Sequence, residues 1–392
     1  MQAGWKNTSL RDLATINYGK SPSGILEVDG MYPVIGTGDS KRVGSEYLYD
    51  GQSIILGRKG TIDRVLLASG KFWVIDTAYY LSDFKDTVPA WLYYFLQTFD
   101  LRQLNEATGV PSLSRESLYK ILVPTPTEPE QAKIADILSM VDRVIGEAES
   151  SIVKQQRVKT GLMQDLLTRG IDEHGQVRSE STHRFKDSSL GRIPVDWRMS
   201  NLGNLAEFHS GYAFKNQELS ESGYRVVRIS NLHKADFPYW YYDGKIKHSW
   251  IIRSGDVLFS WAGIASSIDC IRYIGPDALM NQHIYNFKFT SIRLKTYVYH
   301  FLQSYLPKLR SEIEGGAGQL HLTKSKIQAI EVPQPEEDEV ERIINLFDQM
   351  ENVLTGHRNQ LAKASLLKTA LMQSLLGGSK LVTPIIDSAI PE

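Results

Sequence analysis

Hydrophobic positions in this chain fall into two long stretches with helical spacing and, between them, many short strand-like runs. From Glu130 to Thr168 there is no proline, and apolar residues recur at Ile134, Leu138, Val141, Ile145, Ala148 and Ile152 in alternating steps of four and three. Ile343, Phe347, Met350, Leu354, His357, Leu361 and Ala364 repeat those steps. This is the spacing of a heptad seam. Prolines precede both stretches (Pro124, Pro126, Pro129; Pro333, Pro335) and glycines follow them (Gly170; Gly377, Gly378), as at helix starts and stops. Each helix would hold ~39 residues and measure ~58 Å. So narrow an apolar stripe needs a partner helix. The alternatives are the other long helix, packed antiparallel, or the helix's own domain.

The remainder reads as mixed α and β. Ile54–Leu56, Arg64–Ala68 and Phe72–Ile75 are β-prone runs separated by glycines, and Val226–Ile229, Val257–Phe259 and Ile284–Phe289 play that part later in the chain. Ala90–Phe99 and Thr296–Leu309 read as helices, and the polar stretch from Ile171 reads as a linker.

The chain also repeats itself. Lys159-Thr160-Gly161-Leu162-Met163-Gln164 recurs as Lys368-Thr369-Ala370-Leu371-Met372-Gln373, an offset of 209 that also maps Ile121, Val123, Pro124 and Pro126 onto Ile330, Val332, Pro333 and Pro335. It carries Glu130, Ile134 and Leu138 onto Glu339, Ile343 and Phe347. An offset of 192 maps Trp5, Leu10, Leu13, Ala14 and Gly19 onto Trp197, Leu202, Leu205, Ala206 and Gly211, and one of 206 maps Phe95-Leu96-Gln97 onto Phe301-Leu302-Gln303. The middles, about 20–90 and 212–296, hardly agree. A duplicated frame with two unlike inserts suggests one scaffold presenting two different surfaces.

The 392 residues suffice for two or three folded units. The only cysteine, Cys270, excludes an internal disulfide and any cysteine-rich metal site. No apolar run could span a bilayer and the Met1–Lys6 start has no leader pattern, so a cytoplasmic setting is expected. With 44 Lys+Arg against 45 Asp+Glu the net charge is −1, which argues against a protein that coats nucleic acid by bulk charge.

Enzyme motifs fail on inspection. Gly19-Lys20-Ser21 lacks the upstream glycine of a phosphate loop, Ala14 standing there instead, and Gly36-Thr37-Gly38 is a lone Gly-x-Gly best read as a turn. Asp236-Phe237-Pro238-Tyr239 misses an adenine methyltransferase tetrad by its phenylalanine, Asp243-Gly244-Lys245 has no acidic partner upstream, and the nine histidines form no ligand pair. No catalytic or metal-binding residue is assigned.

Pro126-x-x-x-Glu130-Gln131-x-x-Ile134-Ala135-x-Ile137-Leu138, followed by Lys159-x-Gly161-Leu162-Met163-Gln164-x-Leu166-Leu167, resembles the first shared region of type I restriction-modification specificity subunits. The second copy resembles that family's second shared region, and Gly191-x-Ile193-Pro194-x-x-Trp197 its inter-domain entry. The second copy departs in reading Glu339-Val340 for Glu130-Gln131 and Ala370 for Gly161.

The fold class this implies is α+β: two globular mixed α/β target-recognition domains joined by two long helices in an antiparallel coiled coil, as a pseudo-two-fold repeat. The boundaries are 1–128 for the first domain, 129–170 for its spacer helix, 171–195 for a linker, 196–337 for the second domain, 338–378 for its helix and 379–392 for a tail. The resemblance implies a non-catalytic subunit that reads a bipartite, asymmetric site on double-stranded DNA, with the helices as a ruler. It also implies two methyltransferase subunits as partners, with restriction subunits as further ones. The chain would need no cofactor; the partners would use S-adenosylmethionine, ATP and Mg. The competing readings are a divergent nucleic-acid methyltransferase or nuclease acting alone, and a coiled-coil scaffold.

Base readout needs side chains that donate or accept on rigidly held loops. In the first domain these are Arg58, Lys59 and Thr61, with Lys20, Ser21, Lys41 and Arg42 as further loop candidates. Gly109-Val110-Pro111-Ser112-Leu113-Ser114 resembles a family segment at a helix entry, where exposed N–H groups suit phosphate, which makes Ser112 and Ser114 candidates; its counterpart Gly318–Thr323 adds Gln319, His321 and the neighbouring Lys324. In the second domain the candidates are Tyr212, Lys215, Arg228, Asn231, Trp261, Asn281, Gln282 and His283. For each the alternative is a solvated loop side chain, and for Tyr212 and Trp261 core packing.

Overall fold

The computed structural model describes residues 4–38, 41–234, 236–314 and 322–377. Heptad spacing becomes two helices, α1 (Glu128–Thr168) and α2 (Glu337–Leu376). The chain divides into unit 1, Met1–Ser151 with His357–Glu392, and unit 2, Ile152–Gly356, so both helices contribute to both units.

In unit 1, Ile134, Ala135 and Leu138 of α1 share one core with Leu375 and Leu376 of α2, and Lys368 pairs with Asp142 at 2.8 Å. In unit 2, Met163, Leu166 and Leu167 of α1 share a core with Ile343 and Phe347 of α2, and Lys159 pairs with Glu351. The start of one helix therefore lies beside the end of the other in each unit, an antiparallel pairing. The two ion pairs are themselves related by the offset of 209. The seam positions are the shielded ones, while Met140, Val144, Val153 and Leu366 outside the seam are exposed.

Each unit closes on its helices in the same way. The strand Lys6–Ser9 pairs antiparallel with Leu122–Thr125, immediately before α1, and Arg198–Asn201 pairs with Glu331–Gln334, immediately before α2. Buried polar groups fix the helix entries from adjacent positions of the repeat. Gln131 accepts from Val88 N at 2.8 Å and donates to the Asp86 and Pro126 carbonyls. In unit 2 that position is Val340, and Glu339 takes over as the buried polar residue.

The two dissimilar inserts adopt one topology. Unit 1 has strands β1 (Thr15–Tyr18), β2 (Ser53–Gly57), β3 (Val65–Ala68) and β4 (Ala78–Ser82), antiparallel throughout in the order β1-β4-β2-β3. Unit 2 has β5 (Ala206–Ser210), β6 (Val257–Ser260), β7 (Asp269–Arg272) and β8 (Ile284–Phe289) in the matching order β5-β8-β6-β7. The central strands β2 and β6 are buried along their whole length, so they need apolar bulk on both faces but no particular residue. A second sheet in each unit is built on one parallel pair, Tyr32–Ile35 with Lys71–Val74 and Tyr224–Val227 with Ala278–Met280.

The segment read as a linker is more ordered than its composition suggests. Phe185–Ser188 and Gly191–Pro194 form a hairpin, and Arg178 pairs with Glu339 at 3.0 Å and with Asp196 at 3.1 Å. The segment's few aliphatics anchor it, Ile171 and Ile193 being buried in the core of unit 2, while the hairpin pairs its backbone. The tail expected at 379–392 lies outside the described residues.

Candidate nucleic-acid interface

In unit 1 the loop Arg58–Thr61 leaves β2 through Gly57, where a side chain would lie 2.1 Å from the Thr61 carbonyl oxygen, so only glycine allows the chain to fold back so tightly. Both flanks pin the loop. The backbone N–H groups of Arg58 and Lys59 donate to the Thr77 carbonyl at 2.9 and 3.1 Å, Gly60 N donates to Pro111 and Leu113 N to Arg58. A loop so held can aim side chains reproducibly.

Arg58 lies with its guanidinium 5.1 Å from the ring centre of Tyr18 and donates to the Asp76 carbonyl at 3.0 Å. Arg115 approaches the same ring at 5.2 Å, and its Nε is buried with no hydrogen-bond partner among the described residues. Tyr18 is 46% exposed at the end of β1 and packs against Tyr79. These groups line a shallow concavity of about 320 Å³ together with Lys59, Ser112 and Ser114. Two guanidinium groups at one tyrosine, beside an exposed lysine, form a fork-shaped donor set of the kind that fits guanine edges and phosphates, with Glu106 and Glu116 lining the same concavity.

Ser114 has a local duty as well: it caps the helix Arg115–Tyr119 by accepting from Ser117 N at 3.1 Å and donates to Glu106 at 2.8 Å. Hydrogen bonds from Ser117 and then Ser114 hold the Glu106 carboxyl below the usual carboxylate range. Thr61 is exposed, and its carbonyl accepts from the buried Thr37, which makes Gly36-Thr37-Gly38 a structural turn. Lys20, Ser21, Lys41 and Arg42 are exposed but do not line the concavity.

In unit 2 the register of β6 against β8 makes Trp261 the counterpart of Arg58. Trp261 stacks on Tyr285 with ring centres 5.8 Å apart, meets His283 edge-on at 5.4 Å, and donates its backbone N–H to the His283 carbonyl. The loop continues through Gly263, at φ +105°, to Ile264, which is 68% exposed; Ser267 Oγ donates to the carbonyls of Ala262 and Ile264 and so closes the turn. The exposed face here is aromatic and aliphatic, suited to a thymine methyl or a base plane.

Of the other unit 2 candidates, four spend their polar groups inside the unit. Tyr212 stacks on Trp250 at 4.3 Å and donates to Glu218, a bond that raises its phenolic pKa. Arg228 lies between Trp240 and Phe237, at 4.1 and 5.1 Å, and donates to the Pro238 carbonyl; burial lowers its pKa. Asn231 is buried, donating to the Phe237 carbonyl and accepting from Arg228 N. Asn281 is buried and accepts from His283 N. Gln282 shares a hydrogen bond with His283 and leaves its Oε1 buried without a partner among the described residues. Lys215 and Lys324 are exposed; Gln319 and His321 lie outside the described residues.

Arg115 and Tyr18 were missed by sequence reasoning. A signal existed for Arg115: the offset of 209 puts it at Lys324, with cap Ser114 at cap Thr323. Tyr18 ends β1 with nothing in its neighbours to mark it.

Two segments of the chain, 2–155 and 194–364, match the model of the type I restriction modification DNA specificity domain. The chain belongs to that family. The duplication visible in the sequence is thus a duplication of one family domain. The type I restriction enzyme MjaVIII specificity subunit of Methanocaldococcus jannaschii is 24% identical over 95% of this chain and 92% of its own length. The putative type I restriction enzyme MjaX specificity subunit of the same organism is 25% identical over 74% of this chain and 68% of its own. Among solved structures, the S subunit of a type I restriction-modification system from M. genitalium shares the fold at a TM-score of 0.66 and 15% identity, covering 95% of this chain and 96% of that one. A chain solved in work on complex assembly and conformational transition of the type I R-M system gives 0.56 and 17%, covering 95% and 98%. Among the described residues of this specificity-family chain, no helix is long and apolar enough to cross a membrane, and no group of three or more His, Cys, Asp or Glu is placed to hold a metal ion.

Proposed function

We propose that this chain is the non-catalytic DNA-reading subunit of a type I restriction-modification complex and that each unit reads one half of a split site. The observation that carries this reading is one four-stranded sheet presented twice, with cationic loop chemistry at Arg58, Lys59 and Arg115 in one unit and apolar chemistry at Trp261 and Ile264 in the other. Unlike loops on like scaffolds call for unlike half-sites, hence an asymmetric target. The continuous helices α1 and α2 serve as the ruler between half-sites. Double-stranded DNA, two adenine methyltransferase subunits and restriction subunits are the partners. S-adenosylmethionine, ATP and Mg belong to those partners, this chain holding no cofactor of its own, and the complex works in the cytoplasm.

Comparing adenine methylation across the genome with and without this gene tests the assignment. Loss at one asymmetric split motif is expected; an unchanged methylome together with no sequence-selective binding by the purified complex would refute it. The ruler has its own test. Four residues added to each long helix lengthen it by ~6 Å, so the preferred gap should grow by about two base pairs at ~3.4 Å per step. An unchanged gap would remove the ruler.

A further inference from the structure

The concavity of unit 1 sets a carboxylate among its guanidinium groups, and the backbone around it fixes both. Glu106 lies on the stretch that faces the Arg58–Thr61 loop. Lys59 and Ser112 form an antiparallel bridge, and Glu106 N donates to the Ser112 carbonyl at 3.2 Å. Asn105 Oδ1 closes that stretch by accepting from Ala107 N at 3.2 Å and Ser112 N at 2.9 Å. The Glu106 side chain is held in turn: Ser114 and Ser117 both donate to its Oε1, the first at 2.8 Å. Its Oε2 receives no hydrogen bond among the described residues.

The two carboxylates that line the concavity differ in charge balance. Glu116 pairs with Arg11 at 2.5 Å. Glu106 is exposed and is held by hydroxyls, with no ion pair among the described residues, so its negative charge faces the concavity uncompensated. Arg115 is its complement. It opens the short helix Arg115–Tyr119, whose cap Ser114 and first-turn Ser117 are the groups that hold Glu106. The Arg115 guanidinium makes no ion pair among the described residues and its Nε is buried, which leaves its two Nη groups to donate.

A donor fork beside an ionised acceptor selects its ligand. A phosphate only accepts, and Glu106 would repel it; a lone cation would be repelled by Arg58, Lys59 and Arg115. The major-groove edge of a guanine–cytosine pair presents two adjacent acceptors, guanine N7 and O6, and next to them the N4 amino donor of cytosine. A fork answers the first two and a carboxylate the third. An adenine–thymine pair has no two adjacent acceptors, because the adenine N6 donor stands between N7 and thymine O4.

We propose that this concavity reads one guanine–cytosine pair of the unit 1 half-site, Arg115 donating to guanine and Glu106 Oε2 accepting from the cytosine amino group. This rests on the reading of the chain as a DNA-reading subunit. Glu106 also specifies by repulsion, turning away phosphates and the acceptor edge of thymine.

The purified complex, titrated with duplexes carrying the split motif found by the methylation comparison, tests this. Each cytosine of the motif is replaced in turn by 2-pyrimidinone, which lacks the amino group, and each guanine by 7-deazaguanine, which lacks the N7 acceptor. At one cytosine the replacement should cost about tenfold in affinity, and Glu106→Ala should shrink that penalty to about twofold or less. The 7-deazaguanine penalty at the same pair should vanish in Arg115→Ala. A variant that merely loosens the helix cap would weaken binding to natural and substituted duplexes alike and leave the penalty in place. Should Glu106→Ala fail to fold, Glu106→Gln carries the measurement: it keeps an acceptor for both serines, but sets an amide NH2 against the cytosine amino group, so the penalty is again lost. A penalty that persists in these variants, or that is absent at every cytosine in the parent complex, overturns the proposal while sequence-selective binding stands. No sequence-selective binding by the parent complex overturns the DNA-reading assignment itself.

Discussion

The loop after β2 and the loop after β6 occupy the same place on the same sheet and share almost no chemistry. Arg58-Lys59-Gly60-Thr61 carries two cations, pinned on both flanks by backbone hydrogen bonds. Trp261-Ala262-Gly263-Ile264 carries none, and is held by ring stacking and by Ser267. The strands that deliver them are constrained only to be apolar and buried, whereas Lys59 and Ile264 in the loops are exposed. The fold therefore survives while the loop chemistry is exchanged. On the proposed reading, specificity resides where packing exerts least control.

The largest effect that would break this comparison is expected at Arg58. Its replacement by alanine removes a fork-shaped donor worth ~1–3 kcal/mol of base discrimination, roughly 5- to 150-fold in affinity. Titrating DNA with one half-site scrambled at a time should confine the loss to the half-site of unit 1; equal losses on both would show that Arg58 merely supports the fold. Ile264→Ala should cost less, roughly 3- to 10-fold at the other half-site, with no change in the salt dependence of binding, because an apolar contact releases no counterions. A changed salt slope would contradict the apolar assignment. Lys59→Gln should weaken binding a few-fold on every sequence and reduce the salt slope by about one, the signature of a phosphate contact. If instead preference at one base pair relaxes, Lys59 reads a base.

The smallest effect concerns stability and contrasts the scaffolds themselves. His300 in unit 2 corresponds to Tyr94 in unit 1 by the offset of 206. Burial, followed by Arg272 and Lys159, lowers the His300 pKa to about 3, with Glu351 opposing; Tyr94 instead donates to Asp142 at 2.8 Å. The folded state keeps His300 neutral, so the unfolded chain takes up this proton first. Its contribution is complete above pH ~6.5, the unfolded value, and is lost progressively as pH falls towards 3. Thermal melts of His300→Tyr between pH 7 and 4 should lose less stability than the parent; parallel curves would show that His300 is not the acid-sensitive group.

How much of this could be read from the chain alone depended on what each feature needs. The long helices were legible because a seam needs a period, and Ile134, Leu138, Ile343 and Phe347 keep it. The duplication of the ends was legible because helix entries and tight turns need particular residues, such as Pro124, Gly211 and Trp197. The common topology of the inserts was not, because β2 and β6 preserve burial without identity. Polar loop residues were the least legible. Asn231 and Lys59 look alike in sequence, yet the first spends its amide on Phe237 and Arg228 while the second is exposed. Arg115 could have been found by carrying Lys324 back through the repeat.

The division of the helices between units has a consequence for biosynthesis. Unit 2 is one contiguous piece of chain, whereas the core of unit 1 includes Leu375 and Leu376 from α2. The domain that emerges first from the ribosome is therefore completed last. About 225 residues separate Ser151 from Leu376, roughly 10–45 s of synthesis at 5–20 residues per second. Throughout that interval the core that holds Ile134, Ala135 and Leu138 lacks Leu375 and Leu376. A released chain ending at Gly356 should thus display a finished second domain and an unfinished first one, inverting the usual order in which domains mature.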